Sequence, residues 1–255
     1  MSFDVAADAY DRYMGRFSRQ LSGQLAALAD VRPGQRVLDV GCGPGALTAE
    51  LVTRLGASHV VAVDPSEPFV AAVRERHPGV DVSRATAEAL PFAAAGFDAA
   101  LAQLVVHFMA DPVAGLGEMR RVTRPGGVVA ACVWDFGGQR GPVSPFWNAA
   151  RALDPGLEDE SERHGAREGG LQALFAAAGL VELEVATLSA RVEYPTFETW
   201  WEPYTMGVGP GGAYVARLDA DRRDAVREAC RRALPPAPFV VTASAWACRG
   251  TAPAT

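Results

Sequence analysis

Lysine is missing altogether: all 24 of the Lys+Arg positions are arginine. That excludes lysine-based chemistry, whether a Schiff base, a P-loop cation or a lysine general base. Cysteine is sparse, and Cys42, Cys132, Cys230 and Cys248 form no CxxC pair and no Cys/His cluster with zinc spacing. The sequence therefore predicts no metal site and reduced thiols, as in a cytoplasmic protein. No apolar run approaches the roughly 20 residues of a membrane-spanning helix. The opening MSFDVAADAYDRY lacks the cationic stretch and apolar core of a secretory leader. Positive charge is outnumbered, 30 acidic against 24 basic side chains for a net −6, which excludes a duplex-binding surface as the main activity. What is present, 49% hydrophobic and 21% charged over 255 residues, is the composition of one large globular domain.

Hydrophobic periodicity sets out the elements. Met14, Phe17, Leu21, Leu25 and Leu28 recur at spacings of three and four and predict an amphipathic helix over 12–29, broken by Arg32-Pro33-Gly34. RVLDV (36–40) reads as a strand running into GCGPG, followed by a helix that Gly56 ends. HVVAVD (59–64), VDVSRA (80–85), FDAALAQL (97–104) and VVAACVW (128–134) are further strands. Ser66 caps the helix after the second of these, Asp111-Pro112 opens another, and Arg124-Pro125-Gly126-Gly127 reads as a turn. Strand and helix in alternation, with strands apolar nearly throughout, predict an α/β fold: a doubly wound, Rossmann-like sheet with helices on both faces. Beyond 135 the rhythm changes. A Gly/Pro-rich stretch and acidic DPGLEDESERHG lead to a helix (168–179), a strand (181–193), two aromatic-rich turns, a charged helix capped by Asp219, and a last strand (238–250).

The informative segment is Gly41-Cys42-Gly43-Pro44-Gly45, at the end of the first strand. Glycines spaced by two let the backbone approach a ligand closely and turn tightly into the next helix. Two ligand chemistries fit. With Ala46 the run matches GxGxxA, the dinucleotide fingerprint, and Asp64 follows about 20 residues on, where a ribose would be held. Against a dinucleotide, Asp39 just before the loop repels a pyrophosphate and attracts an ammonium group. Pro44 also removes an N–H where phosphate binding wants donors. A ligand with a ribose, an amine and no phosphate suits the run better, and S-adenosylmethionine (SAM) is such a ligand.

VLDVGCGPG, then VVAVDPS, ALPF, FDAALAQLVVHFMADP and RPGG, in that order over 35–135, resemble the class I SAM-dependent methyltransferases, in the branch of the ubiquinone/menaquinone C-methyltransferases. YDRYMGRFS resembles that branch's N-terminal segment. The resemblance implies a seven-stranded sheet with its last strand antiparallel, and SAM as cofactor with S-adenosylhomocysteine (SAH) as product. It implies that Asp39 and the backbone of Gly41, Cys42, Gly43 and Gly45 hold the methionine portion, that Asp64 accepts from both ribose hydroxyls, and that Pro65 and Ser66 line the adenine. Gln103 would lie under the sulfonium. Tyr10 and Arg16 would close over the cofactor, Arg16 meeting its carboxylate. Relatives carry Asp at the position of Thr86; here Thr86, Glu88 or the backbone of Ala87 would take its contact to the adenine amino group. His107 follows the fourth strand, where relatives bind the acceptor, and is either a general base, a substrate contact or a packing histidine.

The function expected is transfer of a methyl group from SAM to a small-molecule acceptor, at carbon, nitrogen or oxygen. The alternatives are an NAD-linked oxidoreductase using the same loop and a non-catalytic SAM-binding protein. Residues 1–255 are expected to form one domain, interrupted by insertions at 136–165 and 194–235. Insertions after the carboxyl ends of parallel strands sit beside the ligand crevice, so these would form a helical lid over a partly apolar acceptor. Phe197, Trp200, Trp201, Tyr204 and Met206 would be its apolar underside or ordinary packing, and Gly207 through Gly212 its hinge. No nucleic-acid or membrane partner is expected.

Overall fold

In the computed structural model, which describes residues 10–254, strand and helix alternate from Val37 to Trp134 except between Arg84 and Phe97, where one strand follows another with no helix between. A π-helical turn, Asp11–Gly15, leads into α1 (Arg16–Leu28). There follow β1 (Val37–Val40), α2 (Ala46–Leu55), β2 (Val60–Asp64), α3 (Glu67–Arg76), β3 (Asp81–Arg84), β4 (Phe97–Gln103), α4 (Pro112–Val122) and β5 (Thr123–Trp134). The second half contributes α5 (Ser144–Leu153), α6 (Gly170–Ala177), β6 (Val181–Tyr194), α7 (Phe197–Thr205), α8 (Gly209–Ala216), α9 (Ala220–Ala233) and β7 (Phe239–Thr251). The seven strands form one sheet in the order β3-β2-β1-β4-β5-β7-β6, with β7 antiparallel to both neighbours and the β1–β5 pairs parallel.

Period-two alternation divides the interior into two cores. Val37 faces Leu21, Leu25, Leu47 and Leu51 of α1 and α2, while Leu38 and Val40 face Leu116, Met119 and Val122 of α4. All four β1 residues are buried, Asp39 included, as befits a central parallel strand covered on both sides. After β3 the chain crosses back to place β4 on the other side of β1, so the strand order reverses there. A crevice opens outside the carboxyl ends of the strands at such a point.

Several local expectations meet the structure differently. Asp111 and Asp219 cap their helices through Ala114 N and Arg222 N. Ser66 instead gives its backbone N–H to Asp64 and makes no side-chain cap. The Arg124–Gly127 turn is absorbed into β5 as a bulge, the register jumping from Phe97↔Thr123 to Ala99↔Val128. Helix α5 was not expected; Gly and Pro around it obscure a core-facing stripe of Phe146, Trp147, Ala149 and Ala150. The two aromatic-rich turns are one helix, α7, started by a Thr196/Thr199 capping box. The expected hinge is corrected as well: Gly209 to Gly212 begin α8, with Pro210 in the first turn, where a missing N–H costs nothing.

At the sheet's open edge, α1 stands in for an eighth strand. Gln20 donates to Arg191 O and accepts from Arg191 N, both at 3.0 Å. Gln24 does the same for Ser189, at 2.8 and 3.1 Å, and Arg16 donates to Glu193 O at 2.6 Å. Four helical residues rise about 6 Å and two strand residues about 6.7 Å, so side chains on successive turns meet alternate residues of β6. An edge satisfied in this way is blunted against pairing with other chains. Replacing Gln20 and Gln24 together by alanine should cost about 2 kcal/mol, read as a Tm several degrees lower, with concentration-dependent association. An unchanged Tm and a monodisperse protein in sedimentation would show that the edge needs no such cover.

Candidate active site

The loop after β1 is built from left-handed backbone. Gly41, Gly43 and Gly45 have φ of +70°, +54° and +100°, values that side chains resist. Each glycine answers a different neighbour. A Cβ at Gly41 would lie 2.5 Å from Val105, and one at Gly45 3.2 Å from His77, whereas a Cβ at Gly43 would meet nothing within 4 Å. Gly43 borders a cavity of about 640 Å³, so the empty space beside it is ligand space.

Two buried carboxylates face that cavity, with different environments. Asp64, at the end of β2, accepts from Gly43 N through Oδ2 and from Ser66 N through Oδ1, both at 2.8 Å. Burial pushes its pKa up, and the two backbone bonds oppose that shift. Each oxygen retains a further lone pair for an incoming hydroxyl. Asp39 is fully buried; its Oδ2 accepts from the Thr48 hydroxyl at 2.7 Å, and its Oδ1 has no partner. Burial pushes its pKa up to about 7, with Thr48 holding it back and the charge of Asp64 adding to the rise. An unpartnered buried carboxylate oxygen is costly until a cation or donor reaches it.

Tyr10, Gly41, Cys42, Pro65, Thr86, Ala87, Glu88 and Gln103 also line the cavity. Gln103 donates through Nε2 to Ser18 O at 3.0 Å, which leaves Oε1 buried and unpartnered. Glu88 is engaged through Oε1, which accepts from Ala110 N at 2.9 Å and Asp111 N at 3.4 Å. Burial, followed by the charges of Asp39 and Asp64, pushes the Cys42 thiol well up, so it is no nucleophile.

Four sequence expectations need correction. Arg16 does not close over the cavity: it bonds Glu193 O and lies over the Tyr194 ring at 4.9 Å, serving the sheet edge. Gly45 and Ser66 are set behind the wall, where they shape the loop and orient Asp64. His107 is 2% exposed and sits behind Phe108, facing a separate, smaller void. Burial, then the charge of Arg163, lowers its pKa to about 3, which removes it as a general base near neutral pH. The aromatic residues of α7 do not line the large cavity either. Tyr204 stacks on Phe146 at 4.4 Å and adjoins Trp200 and Trp201 in the core, while Met206 only packs against it.

Other wall residues carried no signal in the sequence. Phe69, Phe108, Met109 and Arg163 reach the cavity from three separate segments. Arg76 ties the N-terminal turn to the glycine loop, donating to Asp11 Oδ2 at 2.8 Å and Pro44 O at 3.0 Å. Only tertiary structure brings these together.

Residues 38–131 match the methyltransferase domain family. The malonyl-[acyl-carrier protein] O-methyltransferase of Erwinia billingiae (strain Eb661) is 37% identical over 128 residues, half of each chain. The chain thus spans about half the length of that curated relative. An uncharacterised methyltransferase of Mycobacterium sp. (strain KMS) is 33% identical over 214 residues, covering 78% of this chain and 82% of that protein. This chain belongs to the SAM-dependent methyltransferases. The fold agrees: Haemonchus contortus phosphoethanolamine N-methyltransferase 2, solved with SAH, superposes with a TM-score of 0.61 at 17% identity, covering 99% of this chain and 58% of that one. Membership sets aside the dinucleotide reading of the glycine loop.

The methyltransferase site fits its methyl donor chemically. SAM and SAH carry an ammonium group, a ribose diol and no phosphate, and the cavity offers Asp39 with an unpartnered oxygen, Asp64 with spare lone pairs, and open space at Gly43. Among the described residues, no helix is long and apolar enough to cross a membrane.

Two outcomes follow for this cradle. Gly43→Val should leave Tm within a few degrees and abolish SAH binding in calorimetry, since the branched side chain would enter ligand space and resist positive φ. Normal SAH binding would mean that the loop is only a turn. Asp39 gives the second. With a pKa of about 7, it holds a proton below neutrality that must leave before an ammonium group can pair with it. The amino group of SAH, which neighbours a carboxylate and not an amide, stays protonated throughout this range. SAH affinity should therefore fall by up to about tenfold per unit as pH drops from 7 toward about 5.5. Asp39→Asn should bind more weakly and flatten this dependence; an unchanged slope would exclude Asp39 as the titrating group.

Proposed function

We propose that this chain transfers a methyl group from SAM to a small-molecule acceptor of partly apolar character, and that residues 136–165 and 194–235 form the cap over the acceptor within a single domain. One observation carries the reading: a single cavity joins two buried carboxylates at the ends of β1 and β2 to an apolar wall of Phe69, Leu104, Phe108 and Met109. The volume, about 640 Å³, lies within the usual range for small-molecule sites. A concave chamber of this kind suits an enclosed ligand better than a nucleic acid laid across an open surface.

When bound, the cofactor supplies an electrophilic methyl group on a sulfonium centre. Asp39 would anchor the ammonium end and Asp64 the ribose, fixing the donor at two points along the strand ends. Gln103 lies between these anchors and the acceptor side, and its unpartnered Oε1 is available to orient either substrate. Thr86, Ala87 and Glu88 would border the adenine. Tyr10, packed edge-on against Phe69 at 5.4 Å, would close the donor side. Displacement at a methyl carbon requires alignment and exclusion of water more than proton transfer, which suits a site whose histidine is neutral and off the main cavity. His107 therefore does not act as the acceptor's base. The names of the relatives span O-methylation on an acyl carrier protein and N-methylation of phosphoethanolamine, so they assign neither the acceptor nor its reacting atom.

Calorimetry with SAM and SAH, followed by transfer of labelled methyl to a panel of small acceptors, tests the proposal. Asp64→Ala should weaken SAM binding roughly a hundredfold, about 3 kcal/mol, by removing charge-assisted hydrogen bonds. Absence of binding heat with wild type, or an unchanged Kd in the variant, would sink it.

A further inference from the structure

Beyond Phe108 lies a second void of about 30 Å³, and Tyr10, Leu104 and Phe108 line both it and the large cavity. It has room for one water-sized group. Its apolar walls are Met14, Trp134, Phe136 and Val143, and two of its polar groups are unmatched. Tyr13 Oη and His107 Nδ1 are buried without a hydrogen-bond partner. Glu160 also lines it; it is buried, and Oε2 accepts from Trp147 Nε1 at 3.1 Å. Each buried orphan is costly, and native proteins leave few of them. Two around a single void point to a guest that completes them.

The walls also show where the inserted segments converge. Val143 and Glu160 come from the first insertion, Gly209 and Pro210 from the second, and neither Gly209 nor Pro210 touches the large cavity. Tyr13 is contributed by the π-helical turn and His107 by the short turn after β4. Five separate stretches of chain thus enclose a space the size of one functional group.

Charge decides which group. Burial pushes the Glu160 carboxyl up, with Trp147 and then Arg163 drawing it down. Burial and the same Arg163 keep His107 neutral. A carboxylate or phosphate placed here would face Glu160, and an ammonium group, which has no lone pair, would leave the Tyr13 hydroxyl hydrogen without an acceptor. An uncharged hydroxyl meets neither penalty, and it can accept from Tyr13 Oη while donating to Glu160 or His107.

We infer that this void seats the far end of the acceptor, and that this end is an uncharged hydroxyl on an apolar or aromatic body passing between Tyr10, Leu104 and Phe108. The inference rests on the methyltransferase reading for its use of the large cavity, but the seat is measurable by itself. Tyr13 and His107 are specificity residues in this scheme, and neither touches the cofactor cradle.

Head-group probes test it. Phenol, toluene, benzoate and benzylamine are titrated into the protein with and without saturating SAH, with binding followed by ligand-observed NMR. Phenol should bind about tenfold or more tightly than toluene, and also more tightly than the two charged probes. Tyr13→Phe and His107→Leu should each remove most of the phenol advantage while leaving toluene and SAH affinity unchanged. Tyr13→Phe should also keep Tm, because it deletes an unmatched hydroxyl and little packing. Equal binding of phenol and toluene, preference for a charged probe, or a phenol advantage that survives both substitutions would overturn the seat and leave a void that holds only water. Failure of wild type to bind SAH would overturn the methyltransferase reading alone, since the phenol titration without SAH still reads the seat.

Discussion

The site depends on one carboxylate. Asp64 closes β2 and accepts two backbone N–H groups, one from the glycine loop after β1 and one from the start of α3. The parallel ladder extends toward it, for Gly41 N and Cys42 N both donate to Val63 O, at 2.8 and 3.0 Å. The loop that borders the cavity is therefore positioned by the end of the neighbouring strand and not by its own side chains. This arrangement lets a run of left-handed glycines be rigid: the conformational freedom they have in the unfolded chain, costly to lose, is removed by bonds to a strand fixed in the sheet. Asp39 is the complementary case. It is the same chemical group one strand away, yet only Thr48 satisfies it, and the remaining oxygen is left for whatever fills the cavity.

The N-terminal segment joins this cradle to the far side of the sheet. Helix α1 covers the β6 edge with Gln20 and Gln24, and the same helix supplies the Ser18 carbonyl that orients Gln103. The turn before it places Tyr10 and Gly15 on the cavity wall and is tied to the glycine loop through Asp11 and Arg76. One stretch of about five turns thus registers the first strand's loop, the fourth strand's end and the last edge of the sheet against each other. Arg16 belongs to this framework. Its partner Glu193 lies 177 residues away, and no local pattern could reveal that it spends its guanidinium on a strand edge.

What the sequence made legible follows from the same physics. The seven strands were readable to within a residue or two at most ends, because interior strands are short apolar runs bounded by Gly, Pro and Asp. The carboxylates and glycines of the cradle were readable because they occupy two adjacent strand-to-helix turns with fixed spacing. Helices α5, α7 and α8 were not. Gly209 through Gly212 have poor intrinsic helix propensity, yet α8 forms because that backbone packs against Tyr13 and Tyr204, where a Cβ at Gly209 or Gly211 would come within 3.2 Å of a ring. Tertiary packing overrode propensity there. The same packing turned the aromatic residues of α7 inward, leaving α8 to reach the small void.

The unmatched polar atoms of the two spaces differ in kind, and the difference follows the sheet. At the ends of β1 and β2 they belong to a carboxylate, suited to a charged and sugar-bearing donor; beyond β4 and β5 they belong to a phenol and a neutral imidazole, suited to an uncharged group. Gln103, at the end of β4, carries the remaining unpartnered oxygen of the large cavity between them. The donor side is framed by two short turns whose geometry the parallel ladder dictates, so few substitutions there are compatible with binding. The small void is framed in part by inserted segments, through Val143, Glu160, Gly209 and Pro210, that make no part of that ladder. Residues such as Val143, Glu160 and Pro210 can therefore change the void without moving the cradle, so that, under the proposed seating of the acceptor, one sheet can keep its methyl donor and alter what it methylates.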